Sequence, residues 1–169
     1  VKKTISEVDP RSLAGKTAVV RVDFNVPLEG REVTDDRRIE ESLPTIDLLR
    51  NAGARVVLLS HLGRPDGEAN PEFSLAPVAE RLERLLKAPV TFVRAPRGEE
   101  VESAVRALPT GGVALLENTR FLAGDEDNDR ELAAFWASLG DLFVNDAFGV
   151  AHRAHASTSG LAEAMASKG

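Results

Sequence analysis

The chain has 169 residues, a formal net charge of −6, 43% hydrophobic and 28% charged residues, and no cysteine. Its size suits one domain with a core of its own, and its composition excludes collagen-like, low-complexity and disordered classes. The absence of cysteine excludes a disulfide framework, thiolate zinc sites and cysteine nucleophiles and agrees with a reducing cytoplasm, while the acidic balance argues against nucleic acid as the main partner.

The opening VKKTISEVDP carries two lysines with no apolar run behind them, unlike a signal peptide, and no apolar run approaches the ~20 residues of a membrane span. Residues 17–22 (TAVVRV) read as the first strand, because a continuous apolar run without alternation suits a strand covered on both faces. Loop formers dominate 27–36, with room for a small hairpin around Glu29-Gly30. A helical period follows over 38–51, with Ile39, Leu43, Ile46 and Leu49 on one face, Gly53 as its stop and Pro44 inside, which predicts a kink. The second strand is expected at 55–60 (RVVLLS) and a loop at 62–73. A helix over 74–86 opens on a capping Ser74, with Pro77 in its first turn. Then come a strand at 90–93, a weaker helix at 99–108, a turn at Gly111-Gly112 and a strand at 113–116. The acidic run 125–129 reads as a solvated helix start, its charges complementing the helix dipole, in preference to a metal site. The helix it leads into covers 128–139, with Asn128 and Glu131 in capping-box relation and Gly140 as the stop. Phe135 and Trp136 fit its core face better than a base-stacking platform. A fifth strand is expected at 142–145, and the final SKG is expected to fray.

Strands alternating with helices imply an α/β fold with a parallel sheet, and in such sheets ligands bind beyond the carboxyl ends of the strands. Asp23, Phe24 and Asn25 follow the first strand; His61, Leu62, Gly63 and Arg64 follow the second; Glu117 to Arg120 follow the fourth; the loop after the fifth contains His152, Arg153 and His155. Arg38 opens the first long helix, where a cation opposes the dipole and therefore calls for an anion nearby. Any one loop arginine is ordinarily just solvated and contributes little. Four such loops meeting at one sheet edge imply a basic pocket for a small ligand with several negative charges, because arginine grips phosphate and carboxylate bidentately. Asp23 and Asn25 suit a ligand hydroxyl, although an Asp at a strand end is also a common turn cap. Neither G-x-x-x-x-G-K-[ST] nor a post-strand G-x-G-x-x-G occurs, so no ATP site is expected in this chain.

RVDFNVP (21–27), TDDRRIEESLPTI (34–46), SHLGRP (60–65), ENTRF (117–121) and NDAFGVAHRAHAST (145–158) together resemble, in order and spacing, the N-terminal domain of phosphoglycerate kinase over residues 2–160. The resemblance implies a three-layer, Rossmann-like, doubly wound parallel sheet of about six strands, the half of a monomeric, cytoplasmic glycolytic enzyme that binds 3-phosphoglycerate or 1,3-bisphosphoglycerate. It implies substrate contacts from Asp23, Phe24, Asn25, Arg38, His61, Leu62, Gly63, Arg64, Arg120 and Arg153, with His152, His155 and Arg21 extending the basic patch. Arg38 would stabilise the transferring phosphoryl group, while His61, Arg64, Arg120 and Arg153 would hold the non-reacting phosphate. A carboxylate attacking a phosphoryl group needs no general base, so catalysis is positioning and charge neutralisation. MgATP or MgADP would be bound by a C-terminal domain that this chain lacks, and no metal, nucleic acid or membrane partner is implied for it. Residues 1–160 are therefore expected to form the domain, and 161–169, which depart from the family pattern, a truncated or altered tail. Such a chain is expected to bind substrate weakly and not to turn over by itself.

Two other readings compete. Asp23-x-Asn25 imitates the D-x-D nucleophile motif of haloacid-dehalogenase-like phosphatases, and GDEDND (124–129) imitates their acidic metal motif, but Asn25 cannot serve as the second acid. A stand-alone binding module for phosphorylated acids would differ from a half-enzyme by binding tightly without a second domain.

Overall fold

Five apolar runs pair into one parallel sheet in the computed structural model, which describes residues 4–147 and 154–167. In chain order the elements are β1 (Thr17–Arg21), β2 (Leu28–Glu29), β3 (Glu32–Val33), α1 (Arg37–Asn51), β4 (Arg55–Leu59), α2 (Ala76–Leu86), β5 (Val90–Val93), α3 (Glu99–Ala107), β6 (Val113–Leu116), α4 (Ala123–Glu126), α5 (Arg130–Ser138), β7 (Leu142–Asn145) and α6 (Leu161–Ser167). The sheet order is β5-β6-β4-β1-β7, with Thr17 opposite Arg55 and Ala18 opposite Leu142, so β1 lies between two parallel neighbours. All five predicted strands are present, β1 and β4 each ending one residue earlier than expected. Among the described residues the main sheet thus has five strands where the resemblance implies about six, and β2 and β3 form a separate antiparallel ribbon with Leu28 opposite Val33. Arg81 of α2 docks that ribbon through a bond to the Val33 carbonyl (2.9 Å).

Successive strand residues point to opposite faces, and this builds two cores from one sheet. Ala18, Val20, Val56, Leu58, Val113 and Leu115 pack with Ile39, Ile46 and Leu49 of α1 and Val78 and Leu82 of α2. On the opposite face Val19, Val57, Leu59, Ala114 and Leu116 pack with Val101 and Val105 of α3, Leu132 and Trp136 of α5, and Leu161 of α6. Helices on both faces make this the expected three-layer, doubly wound, Rossmann-like arrangement. Trp136 is fully buried, its indole N–H donating to the Pro96 carbonyl (2.8 Å), so it is a core residue.

Several boundaries differ from the sequence expectations for local reasons. α1 runs unbroken through Pro44, although proline cannot donate to the Glu40 carbonyl one turn before it. α5 is capped by Asp129, whose carboxylate accepts from the Glu131 amide (2.9 Å), whereas the expected cap Asn128 adopts a left-handed conformation (φ 54°) one residue earlier. The segment assigned to a tail begins as helix α6, with Leu161 fully buried in the second core, so 161–167 belongs to the same packed unit. No helix among the described residues is long and apolar enough to cross a membrane.

Candidate functional site

The loops after β1, β4 and β6 meet at the carboxyl edge of the sheet and are bonded to one another. Ser60 accepts from the Phe24 amide (2.9 Å) through its hydroxyl oxygen, which donates to the His61 carbonyl (2.9 Å). The Asn25 side-chain oxygen accepts from the Gly63 amide (2.9 Å), and Arg120 donates to the Gly63 carbonyl (3.2 Å). Asn118 accepts from the amides of Leu62 (3.2 Å) and Arg120 (3.0 Å) and donates to the carbonyls of Leu62 (2.7 Å) and Phe73 (2.9 Å), so its buried amide holds the loop over 62–73 to the end of β6. Its neighbour Glu117 accepts from the Leu75 amide (2.8 Å) and the Ser74 hydroxyl (2.6 Å) and thereby caps α2 from another strand. An open depression of about 590 Å³ runs from Asn25, Leu62 and Gly63 toward the ribbon and Phe73.

Arg38 donates to Asp23 (3.2 Å) and to the Asn25 carbonyl (2.8 Å), so the anion called for by its place at the start of α1 is Asp23 in this structure. The pair is only partly sheltered, with the Arg38 side chain 51% exposed. Nearby, Arg37 grips Asp35 (2.6 Å) and holds its carboxyl at a pKa of about 2.

Below this rim lies a second, buried layer. Arg21 is fully buried; its Nε donates to the Ser157 hydroxyl (3.0 Å), one terminal nitrogen donates to the Val22 carbonyl, and the other lies 2.8 Å from His61 Nδ1. Burial lowers the Arg21 guanidinium pKa to about 10, offset in part by the carboxylates of Asp125 and Asp23. Asp125 is also fully buried and accepts from the Ser157 amide (2.9 Å). The acidic run is therefore not simply a solvated helix start: Asp125 turns inward as the main charge complement to Arg21, and Asp129 is committed to capping α5.

The residues expected at the site fall into three groups. Asp23, Asn25, Arg38 and Gly63 are linked at the rim, Arg120 bonds Gly63 from a buried position with Glu126 3.8 Å from its Nε, and Arg64 stands exposed on the same loop as Gly63. Phe24 lies in the apolar core away from the depression, whereas Leu62, 4% exposed and packed in the same core with its backbone taken up by Asn118, also borders the depression. Arg21, His61 and His155 form the buried layer. Burial pushes the His155 pKa down, with Arg120 and Arg21 adding to the effect against the pull of Asp125 and Glu126. His152 and Arg153 lie outside the described residues. Asn118, Ser60, Ser157 and Asp125 were absent from the expected site; each is a polar residue with neutral or negative charge, so a search for basic side chains passes over it.

The family model for phosphoglycerate kinase matches residues 7–169. The phosphoglycerate kinase of Fervidobacterium nodosum is 56% identical over 162 residues, covering 96% of this chain and 40% of its own length. That of Caulobacter vibrioides is 56% identical over 162 residues, covering 96% and 41%. Among solved structures, phosphoglycerate kinase from Coxiella burnetii superposes with a TM-score of 0.83 at 41% identity, covering 96% of this chain and 39% of that one. The enzyme from Pyrococcus horikoshii gives the same TM-score, 0.83, at 28% identity, covering 99% and 44%. The chain thus spans about 40% of the length of the curated relatives it matches.

Proposed function

The chain belongs to the phosphoglycerate kinase family, matching it as the N-terminal domain, and from that premise we propose that its carboxyl edge binds 3-phosphoglycerate or 1,3-bisphosphoglycerate for phosphoryl transfer. The observation that carries this reading is the joining of the Asp23–Asn25–Arg38 group to the 61–64 loop, through Asn25 to the Gly63 amide (2.9 Å) and Arg120 to the Gly63 carbonyl (3.2 Å). In this reading the Asp23 carboxylate and the Asn25 amide meet the ligand hydroxyl, and Arg38, Arg64 and Arg120 supply the positive charge.

The transfer forms a bond between a carboxylate oxygen of 3-phosphoglycerate and phosphorus as the bond from phosphorus to the β,γ-bridging oxygen of ATP breaks; the reverse reaction makes ATP. The acceptor is already an anion, so no residue need remove a proton. Arg38, half exposed at the head of α1, exchanges part of its contact with Asp23 for the transferring phosphoryl group and neutralises charge that develops there. Arg64, Arg120, His61 and Arg153 hold the remote phosphate, and binding energy gathered there positions the reacting carboxylate. Neither G-x-x-x-x-G-K-[ST] nor a post-strand G-x-G-x-x-G is present to cradle nucleotide phosphates at this edge. We assign the nucleotide to the remaining length of the relatives, the enzyme to the cytoplasm and the chain to a monomeric state.

Calorimetric titration of the chain with 3-phosphoglycerate at low salt should show weak binding that Arg38→Ala and Arg64→Ala each reduce by roughly tenfold or more, the scale of a lost charge-assisted contact. A coupled ATP-dependent assay should show no turnover. Turnover near that of a complete kinase, or equal affinity in both variants, contradicts the reading; tight binding by the chain alone favours a stand-alone module.

A further inference from the structure

Arginine has five N–H donors and no acceptor, so a histidine nitrogen facing a guanidinium must present its lone pair. Arg21 faces His61 Nδ1 at 2.8 Å, which leaves the ring proton on Nε2. Arg21 is itself held in place, through Nε on the Ser157 hydroxyl (3.0 Å) and a terminal nitrogen on the Val22 carbonyl. Ser157 is anchored in turn by its amide on Asp125 (2.9 Å). Arg21, Ser157 and Asp125 are 0% exposed and His61 is 4% exposed, so water does not compete for these bonds. The four residues come from the end of β1, the loop after β4, α4 and the turn preceding α6.

We propose that Asp125, Ser157 and Arg21 form a buried positioning chain that fixes the orientation of the His61 ring and holds it as the neutral Nε2–H tautomer and not as an imidazolium. A proton added at Nδ1 would set N–H against N–H across the 2.8 Å contact with Arg21, so the ring can charge only by abandoning that bond. Asp125 supplies the charge complement without which a buried guanidinium is costly, and Asp23 adds to it, while Arg120, its neighbour Glu126 and His155 are the other ionisable groups acting on the chain among the described residues. In this scheme Arg21 positions His61 and does not itself touch the ligand. The tautomer follows from the bonding alone; its effect on phosphoglycerate binding rests on the reading above.

Long-range ¹H–¹⁵N spectra of the labelled chain read the tautomer without any ligand, with His61 identified by the signal lost in His61→Gln. The expected spectrum at neutral pH has one pyrrole-like Nε2 and one pyridine-like Nδ1 for His61. Ser157→Ala should move both nitrogens toward averaged positions and weaken 3-phosphoglycerate binding by roughly three- to tenfold, the range of one hydrogen bond to a charged group. Asp125→Asn, which keeps the shape and removes the charge, should act in the same direction. A proton on Nδ1 in the parent chain overturns the proposal whether or not any variant folds, as does a His61 spectrum unchanged by Ser157→Ala. If the Nε2–H signature appears but the parent chain binds no phosphoglycerate, the functional reading fails and the positioning chain stands.

Discussion

Gly63 shows how much one residue at the rim has to satisfy. Its φ of +60° is left-handed, a Cβ built there would lie 2.5 Å from the Phe73 ring, and its amide and carbonyl are held by Asn25 and Arg120. Only glycine meets the backbone and the space at once. Gly63→Ala should therefore destabilise the protein by about 2–3 kcal/mol, from left-handed strain of about 1 kcal/mol plus overpacking against Phe73. Urea denaturation would measure this; a variant as stable as the parent would mean that Phe73 yields freely. The reading of His-Leu-Gly-Arg as a ligand loop found Gly63 without its reason, since the Phe73 contact joins residues ten apart across an irregular loop.

At the scale of elements, the helix starts are held by residues that helix patterns do not reveal. Ser74 is an expected cap and its hydroxyl does accept from the Ala76 amide (3.2 Å), but it also donates to Glu117, whose carboxylate reaches the Leu75 amide from the end of β6. Glu117→Ala should cost about 1–3 kcal/mol, because a buried amide loses its charged acceptor, and should speed hydrogen exchange at the Leu75 amide above all. The turn over 155–160 carries a second consequence. His155 has its pKa lowered by burial, so the unfolded ring takes up a proton at about pH 6.5 while the folded ring resists it. Stability should be fully present above that pH and fall as the pH drops through it. His155→Gln should remove this acid-side loss, as thermal melts between pH 5 and 8 would show by a flatter slope than the parent's. Asp129 displacing Asn128 as the α5 cap belongs to the same scale: both residues cap well, and only the left-handed φ at Asn128 decides between them.

For the whole molecule, a net charge of −6 conceals strand-end loops and a helix start that carry Arg38 and Arg64 in exposed positions and Arg21 and Arg120 in buried ones. The strands were legible because continuous β-branched runs bounded by turn residues have few alternatives, and the arginine loops were legible because strand ends in a parallel sheet share one edge. Family membership was legible for a different reason, the order and spacing of five long motifs. The sequence by itself therefore determined the class of fold and the face of the sheet on which the strand-end loops gather. The tertiary structure alone decided which of the polar residues reach that face. Asp125 lies in a run of acids that looks solvated, yet it is buried against Ser157; Arg21 looks like one more basic residue, yet it is spent inside on His61. Contacts between residues 40 and 32 positions apart depend on strand order and helix docking, which no local pattern encodes, and in a low-dielectric interior those contacts set charge and tautomer.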